Sequence, residues 1–204
     1  MPETIRQSPL HDRLNSEPLP AADLSAARLG AVGICDVSLL PKLGVKGTGA
    51  AGWLAEQWLK VPEEVYASAP LEAGGLIVRL GADEFLIEAG SLDESLAALR
   101  ERMPGDALHV APVAREDAGL LLVGPRATEM LLQTCGYEFA KSPDQRFVHT
   151  RIAGVSCGVL PQQILGNRGY RIWFDPSYAL YLWETLVEIA TELGGGMVDA
   201  AGMQ

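Results

Sequence analysis

The sequence predicts an α+β fold built from two similar halves, each of the split βαβ, ferredoxin-like type. Three observations carry this. Short apolar runs that read as strands alternate with stretches of helical period. Glycine-marked strand-to-helix turns recur roughly 80 residues apart. The composition suits a packed domain, with 48% hydrophobic and 21% charged residues in a chain of 204.

The elements follow in order. Residues 1–28 read as an irregular N-terminal arm, because Pro9, Pro18 and Pro20 break any period. The body of the fold then occupies residues 29–204. Val32 to Val37 is a β-like apolar run, and Lys42 to Lys46 is a strand. Thr48 stands as the N-cap of a helix that carries Ala51, Leu54, Ala55 and Trp58 at helical spacing. Leu76–Leu80 and Glu84–Ala89 form a hairpin about Gly81-Ala82-Asp83. Ser91-Leu92-Asp93-Glu94 is a capping box, opening a helix with Leu92, Leu96, Leu99 and Met103 on one face. Pro104 and Gly105 end it, and Leu108–Val113 and Gly119–Val123 read as further strands.

The second half, about 118–196, echoes the first, about 40–113. Gly119 to Ala127 runs into Met130 and Leu131 as Lys42 to Gly47 runs into Ala50 and Leu54. Leu165 to Trp173 echoes Leu80 to Ile87. Asp175 then caps a helix with Pro176 at its first position. Its apolar stripe is Leu182, Trp183, Leu186, Ile189, Ala190 and Leu193, and Gly194-Gly195-Gly196 stops it. Each half thus reads strand–helix–strand–strand–helix–strand. A lone half leaves a bare sheet face and an open edge, which a second half buries.

Charge and composition bound the function. A formal net charge of −10 disfavours nucleic acid or an anionic membrane surface as the main partner. No apolar run is long enough to span a bilayer, and Met1 to Arg13 lacks the apolar core of a secretory signal. Cys35, Cys135 and Cys157 each lie in an apolar stretch, as buried thiols do in a reducing compartment. A cytoplasmic protein is expected.

Few residues offer chemistry on their own. His11, His109 and His149 are far apart, the latter two in strands, and no pair has metal-ligand spacing. Cys157 and His149 are the only local nucleophile–base candidates, on adjacent strands of a hairpin; packed residues are the expected outcome. Gly47-x-Gly49-x-x-Gly52 has a dinucleotide-type spacing, but no βαβ unit with a ribose-binding acid follows, so a strand–helix turn is expected. The four tryptophans, Trp53, Trp58, Trp173 and Trp183, lie on or beside core faces. Tyr178 and Tyr181 fall off the last helix's stripe, as an exposed patch or as ordinary half-exposed tyrosines.

An ordered set of short motifs resembles one family. These are Ser8-Pro9-Leu10-His11-Asp12-Arg13; Val32-Gly33-Ile34-Cys35-Asp36-Val37-Ser38; Val45-Lys46-Gly47-x-x-Ala50 with Trp53-Leu54; Gly124-Pro125-Arg126-Ala127; Gly166-x-x-Gly169-Tyr170; and Leu182-Trp183-x-x-Leu186. Together they resemble the folate-binding domain of glycine-cleavage T-proteins, the aminomethyltransferases, and most closely the small gamma subunit of heterotetrameric sarcosine oxidase. That resemblance implies a folate-binding-domain-like fold, a tetrahydrofolate ligand in catalytic members, and larger partner subunits.

The departures from the family are informative. Catalytic members carry an acid on the strand after a glycine pair; here Gly74-Gly75 leads into Leu76-Ile77-Val78-Arg79. The family loop "G-E-x-G-Y-E" holds glutamates where this chain has Asn167 and Arg171. Exchanging a carboxylate for Asn removes a charge-assisted hydrogen bond worth about 1.5–3 kcal/mol. The folate-site-like residues implied by the resemblance are therefore Asn167, Arg168, Tyr170 and Arg171, with no catalytic residue and no metal ligand. One of Arg168 and Arg171, on opposite faces of a strand, could meet a carboxylate such as a folate tail, or an acid at a subunit interface. The resemblance implies a non-catalytic subunit beside larger alpha and beta subunits that hold flavin and NAD. The alternative is a stand-alone folate-binding or aminomethyltransferase-like protein.

Overall fold

The computed structural model describes residues 7–16, 20–71, 74–90, 95–104 and 109–199. The chain divides into two compact units. Unit 1 comprises 1–39, 117–144 and 148–204; unit 2 comprises 40–116 and 145–147.

Unit 2 runs β2 (Lys42–Lys46), α3 (Ala50–Glu56), β3 (Ser68–Pro70), β4 (Leu76–Gly81), β5 (Glu84–Glu88), α4 (Ser95–Glu101) and β6 (Ala111–Val113). Its sheet order is β3-β4-β5-β2-β6. Without the short edge strand β3, this is a split βαβ sheet with all neighbours antiparallel. The alternation of β2 and β5 decides the core. Leu43 pairs Ile87 and Val45 pairs Phe85, and all four pack with Ile77 against Trp53 and Leu54 of α3 and Leu96 and Leu99 of α4.

Unit 1 contains α1 (His11–Ser16), α2 (Ala22–Leu29), β1 (Gly33–Asp36), β7 (Ala118–Val123), α5 (Ala127–Thr134), β8 (Val148–Ile152), β9 (Val155–Ile164), β10 (Asn167–Phe174), α6 (Ala179–Glu192) and β11 (Gly196–Met197). The sheet order is β11-β1-β7-β10-β9-β8. The repeat is therefore real but not literal. β1, which precedes the first repeat in sequence, pairs antiparallel with β7. In the unit 2 sheet, β6 holds the corresponding place beside β2. The two-residue β11 then adds parallel to β1 at the edge. The stripe of α6 is as the periodicity predicts, with Leu182, Trp183, Leu186 and Ala190 buried against Ile34, Leu120, Leu122 and Ile172.

Several local expectations change. The N-terminal stretch is not wholly irregular: α1 forms after Pro9 and α2 after Pro20, and Leu10 joins the unit 1 core. Ser8 Oγ binds the Asp36 carboxylate and accepts the Leu10 N–H, which ties this stretch to β1. Helix α3 has Gly49, not Thr48, at its N-cap and no side-chain cap. It ends at Glu56, so Trp58 falls outside the helix, at φ 64° and 95% exposed, not in the core. His109 lies in a turn at φ 52°, outside any strand. The capping box Ser91–Glu94 lies outside the described residues.

Candidate functional site

The loop after β9 carries Leu165 and Gly166 at positive φ and delivers the chain into β10. Strand alternation then sorts the four singled-out residues. Arg168 and Tyr170 share the face that packs on the core helices, and Arg171 is on the other face. Asn167, at the start of the strand, turns its side-chain amide onto the Leu165 carbonyl at 3.3 Å.

Arg168 and Tyr170 form one polar knot. The Tyr170 ring is fully buried and meets Phe139 edge-on at 5.3 Å. Its hydroxyl lies 2.5 Å from Thr128 Oγ1 and accepts from Arg168 Nε at 3.2 Å. Arg168 also donates to the carbonyls of Phe139 and Ser142 and stands 3.7 Å from Asp144. Its guanidinium thus closes the segment Phe139–Asp144 onto β10. Arg171 is 7% exposed, with Leu121 and Leu160 as its cross-strand neighbours. Within unit 1 the four residues do not share a binding face. Tyr170 and Arg168 are both engaged with protein groups.

In unit 2, β4 is apolar where an acid would work: Leu76, Ile77 and Val78 are buried. Arg79 follows, held by the carbonyls of Pro62, Glu63, Gly81 and Ala82 and stacked over Phe85. The nearest acid across the ladder is Glu88 on β5, opposite Leu76. Glu88 pairs with Lys42 at 3.6 Å, and both side chains are 0% exposed. This ion pair was not foreseeable from spacing, because it is made across the β2–β5 ladder.

Two of the three buried thiols are held protonated. Burial pushes Cys35 up to about 12, with the nearby Asp36 and Asp199 charges adding to the shift. Burial also pushes Cys157 up to about 12, against a backbone hydrogen bond from Ile152. Cys157 lies opposite Thr150 and not opposite His149, so the strand register does not align the thiol with an imidazole. Among the described residues there is no cluster of three or more metal-ligating side chains. No described helix is long and apolar enough to cross a membrane.

Residues 17–203 match the GCVT N-terminal domain. The chain belongs to that family. Among relatives of this GCVT domain, the aminomethyltransferase of Moorella thermoacetica is 24% identical over 175 residues, covering 79% of the chain and 48% of the relative. The Thermus thermophilus aminomethyltransferase is 27% identical over 180 residues, covering 81% and 51%. The chain thus spans about half the length of these relatives. A chain of the heterotetrameric sarcosine oxidase from Corynebacterium sp. U-96 matches with TM-score 0.72 at 23% identity, over 96% of this GCVT domain chain and 100% of that one. The glycine cleavage system aminomethyltransferase T from Bartonella henselae matches with TM-score 0.74 at 17% identity, over 96% and 60%. At these identities the two structures establish the shared fold.

Proposed function

We propose that the chain is a non-catalytic, gamma-type subunit of a sarcosine-oxidase-like complex in the cytoplasm. Larger alpha and beta subunits, bearing flavin and NAD, would oxidise an N-methyl amine and pass the one-carbon unit to tetrahydrofolate. The observation that carries this is β4. Where the family's catalytic members place an acid, Leu76, Ile77 and Val78 are buried and apolar. No group on that strand can accept or return a proton during transfer to the folate amine. The neighbouring acid, Glu88, is held against Lys42. The fold shared with a chain of heterotetrameric sarcosine oxidase, over that chain's whole length, supports the assembly.

A second reading is a folate-binding or aminomethyltransferase-like protein with altered site residues. The 24% and 27% identity to two aminomethyltransferases favours it. Calorimetric titration of the purified chain with 5-formyltetrahydrofolate separates the two. Micromolar binding together with methylene transfer by the chain alone selects the second. No binding by the isolated chain, with stable co-purification alongside the alpha- and beta-type subunits, selects the first.

A further inference from the structure

Unit 2 carries a cavity of about 600 Å³ between the end of α3 and helix α4, floored by Ile87 and Ala89 and walled by Leu59, Leu71, Leu96 and Leu99. Trp58 stands at its rim, 95% exposed and at φ 64°. Both features are costly. Tryptophan is the residue with most to gain from burial, and the left-handed region is unfavourable for a bulky side chain. A fold that needed only to end α3 would do so with glycine. Lys60 and Arg102 also line the cavity. Neither has an ion-pair partner among the described residues, in a chain whose net charge is −10. Arg102 donates back to the Ala98 carbonyl of α4.

The geometry points to a docking surface for one of the larger subunits: Trp58 is a knob that enters the partner, and the cavity behind it receives a partner segment with apolar side chains flanked by carboxylates. The inference rests on the subunit reading above. A protein segment fits better than a small molecule. A ligand filling the cavity would leave Trp58 in water, whereas a protein surface covers knob and cavity together. Trp and Arg at the centre of a contact are the side chains that most often dominate its energy. Lys60 and Arg102 add charge complementarity, which sets register and speeds encounter.

The test uses the whole chain and the tagged alpha- and beta-type subunits of the same genome, with affinity measured by interferometry. Trp58→Gly relieves the positive φ, so the melting temperature of the chain should hold or rise. The same substitution should weaken the complex at least tenfold. Lys60→Glu with Arg102→Glu should weaken it by a similar factor and flatten its salt dependence. Tyr181→Ala, in unit 1, should change affinity less than twofold. If the wild-type complex forms and the Trp58 and Lys60/Arg102 variants bind as wild type, the docking surface is wrong and the subunit reading stands. If the wild-type chain binds neither subunit, both fall. If sedimentation shows the chain pairing with itself and Trp58→Gly abolishes that, the occupant is a second copy and the inference is overturned.

Discussion

Gly47 and Gly124 hold the same backbone conformation at the same step of the two repeats, with φ of 129° and 130°. Each closes a strand-to-helix turn by accepting the N–H three residues on, from Ala50 and Ala127. Each also has a passing backbone against it. A Cβ would stand 1.8 Å from the His109 carbonyl oxygen at Gly47 and 2.5 Å from that of Ala31 at Gly124. Strain and clash together should make Gly47→Ala and Gly124→Ala each cost about 3 kcal/mol, with Gly47→Ala the worse. Urea denaturation measures this. A loss near zero at either position would show that the turn is not built as described.

The buried pair should behave as a unit. Lys42→Met removes the counter-charge of the buried Glu88 and should cost about 3–5 kcal/mol, as should Glu88→Leu. The double variant should recover most of that loss. A double-mutant cycle reads the coupling directly; additive losses would mean that Lys42 and Glu88 are not each other's partners.

The polar knot on β10 predicts a local effect. Tyr170→Phe removes the hydroxyl between Thr128 and Arg168 and should cost about 1–2 kcal/mol. Arg168→Leu should release the carbonyls of Phe139 and Ser142, giving faster amide exchange across 139–144 while β7 stays protected. Uniform loss of protection would instead place Arg168 in the global core.

The buried thiols should set an alkaline limb. Their folded pKa values, about 12, lie above the usual value of 9.0. Between those pH values the unfolded chain gives up thiol protons that the folded chain keeps, so their contribution is full below pH 9 and fades as pH rises toward 12. A Cys35→Ala/Cys157→Ala variant should therefore lose less stability than the wild type between those limits. Thiol reagents should label the native wild type slowly at neutral pH and rapidly in urea.

Much of this was legible in the chain. The Lys42–Lys46 strand, the hairpin about Gly81 and the α6 stripe follow from two-fold or 3.6-fold apolar periodicity, which is local information. The repeat was legible because Gly47 and Gly124 meet the same steric demand. The exchange that puts β1 beside β7 was not, since a four-residue strand does not encode a partner 84–90 residues away. Trp58 was misplaced because helical spacing puts it in line with Leu54, and nothing in the pattern announces that the helix stops at Glu56. At the candidate site, the opposed faces of Arg168 and Arg171 follow from alternation alone. The contacts of Arg168 with Phe139 and Ser142 do not, because they are made to backbone carbonyls, which have no sequence signature.

The placement of β1 has a consequence for biogenesis. A ribosome releases Gly33–Asp36 before any of unit 2, yet the strand that pairs with it, Ala118–Val123, emerges only after residues 40–116 of unit 2. Residues 40–116 can close into their own sheet first, while the earliest strand waits with its hydrogen-bonding edges open. The last residues to pair, Gly196 and Met197, dock onto this first-made strand. The first strand made is therefore among the last to have both edges paired. Slowing elongation past residue 123 should lengthen the interval in which the nascent chain needs a chaperone.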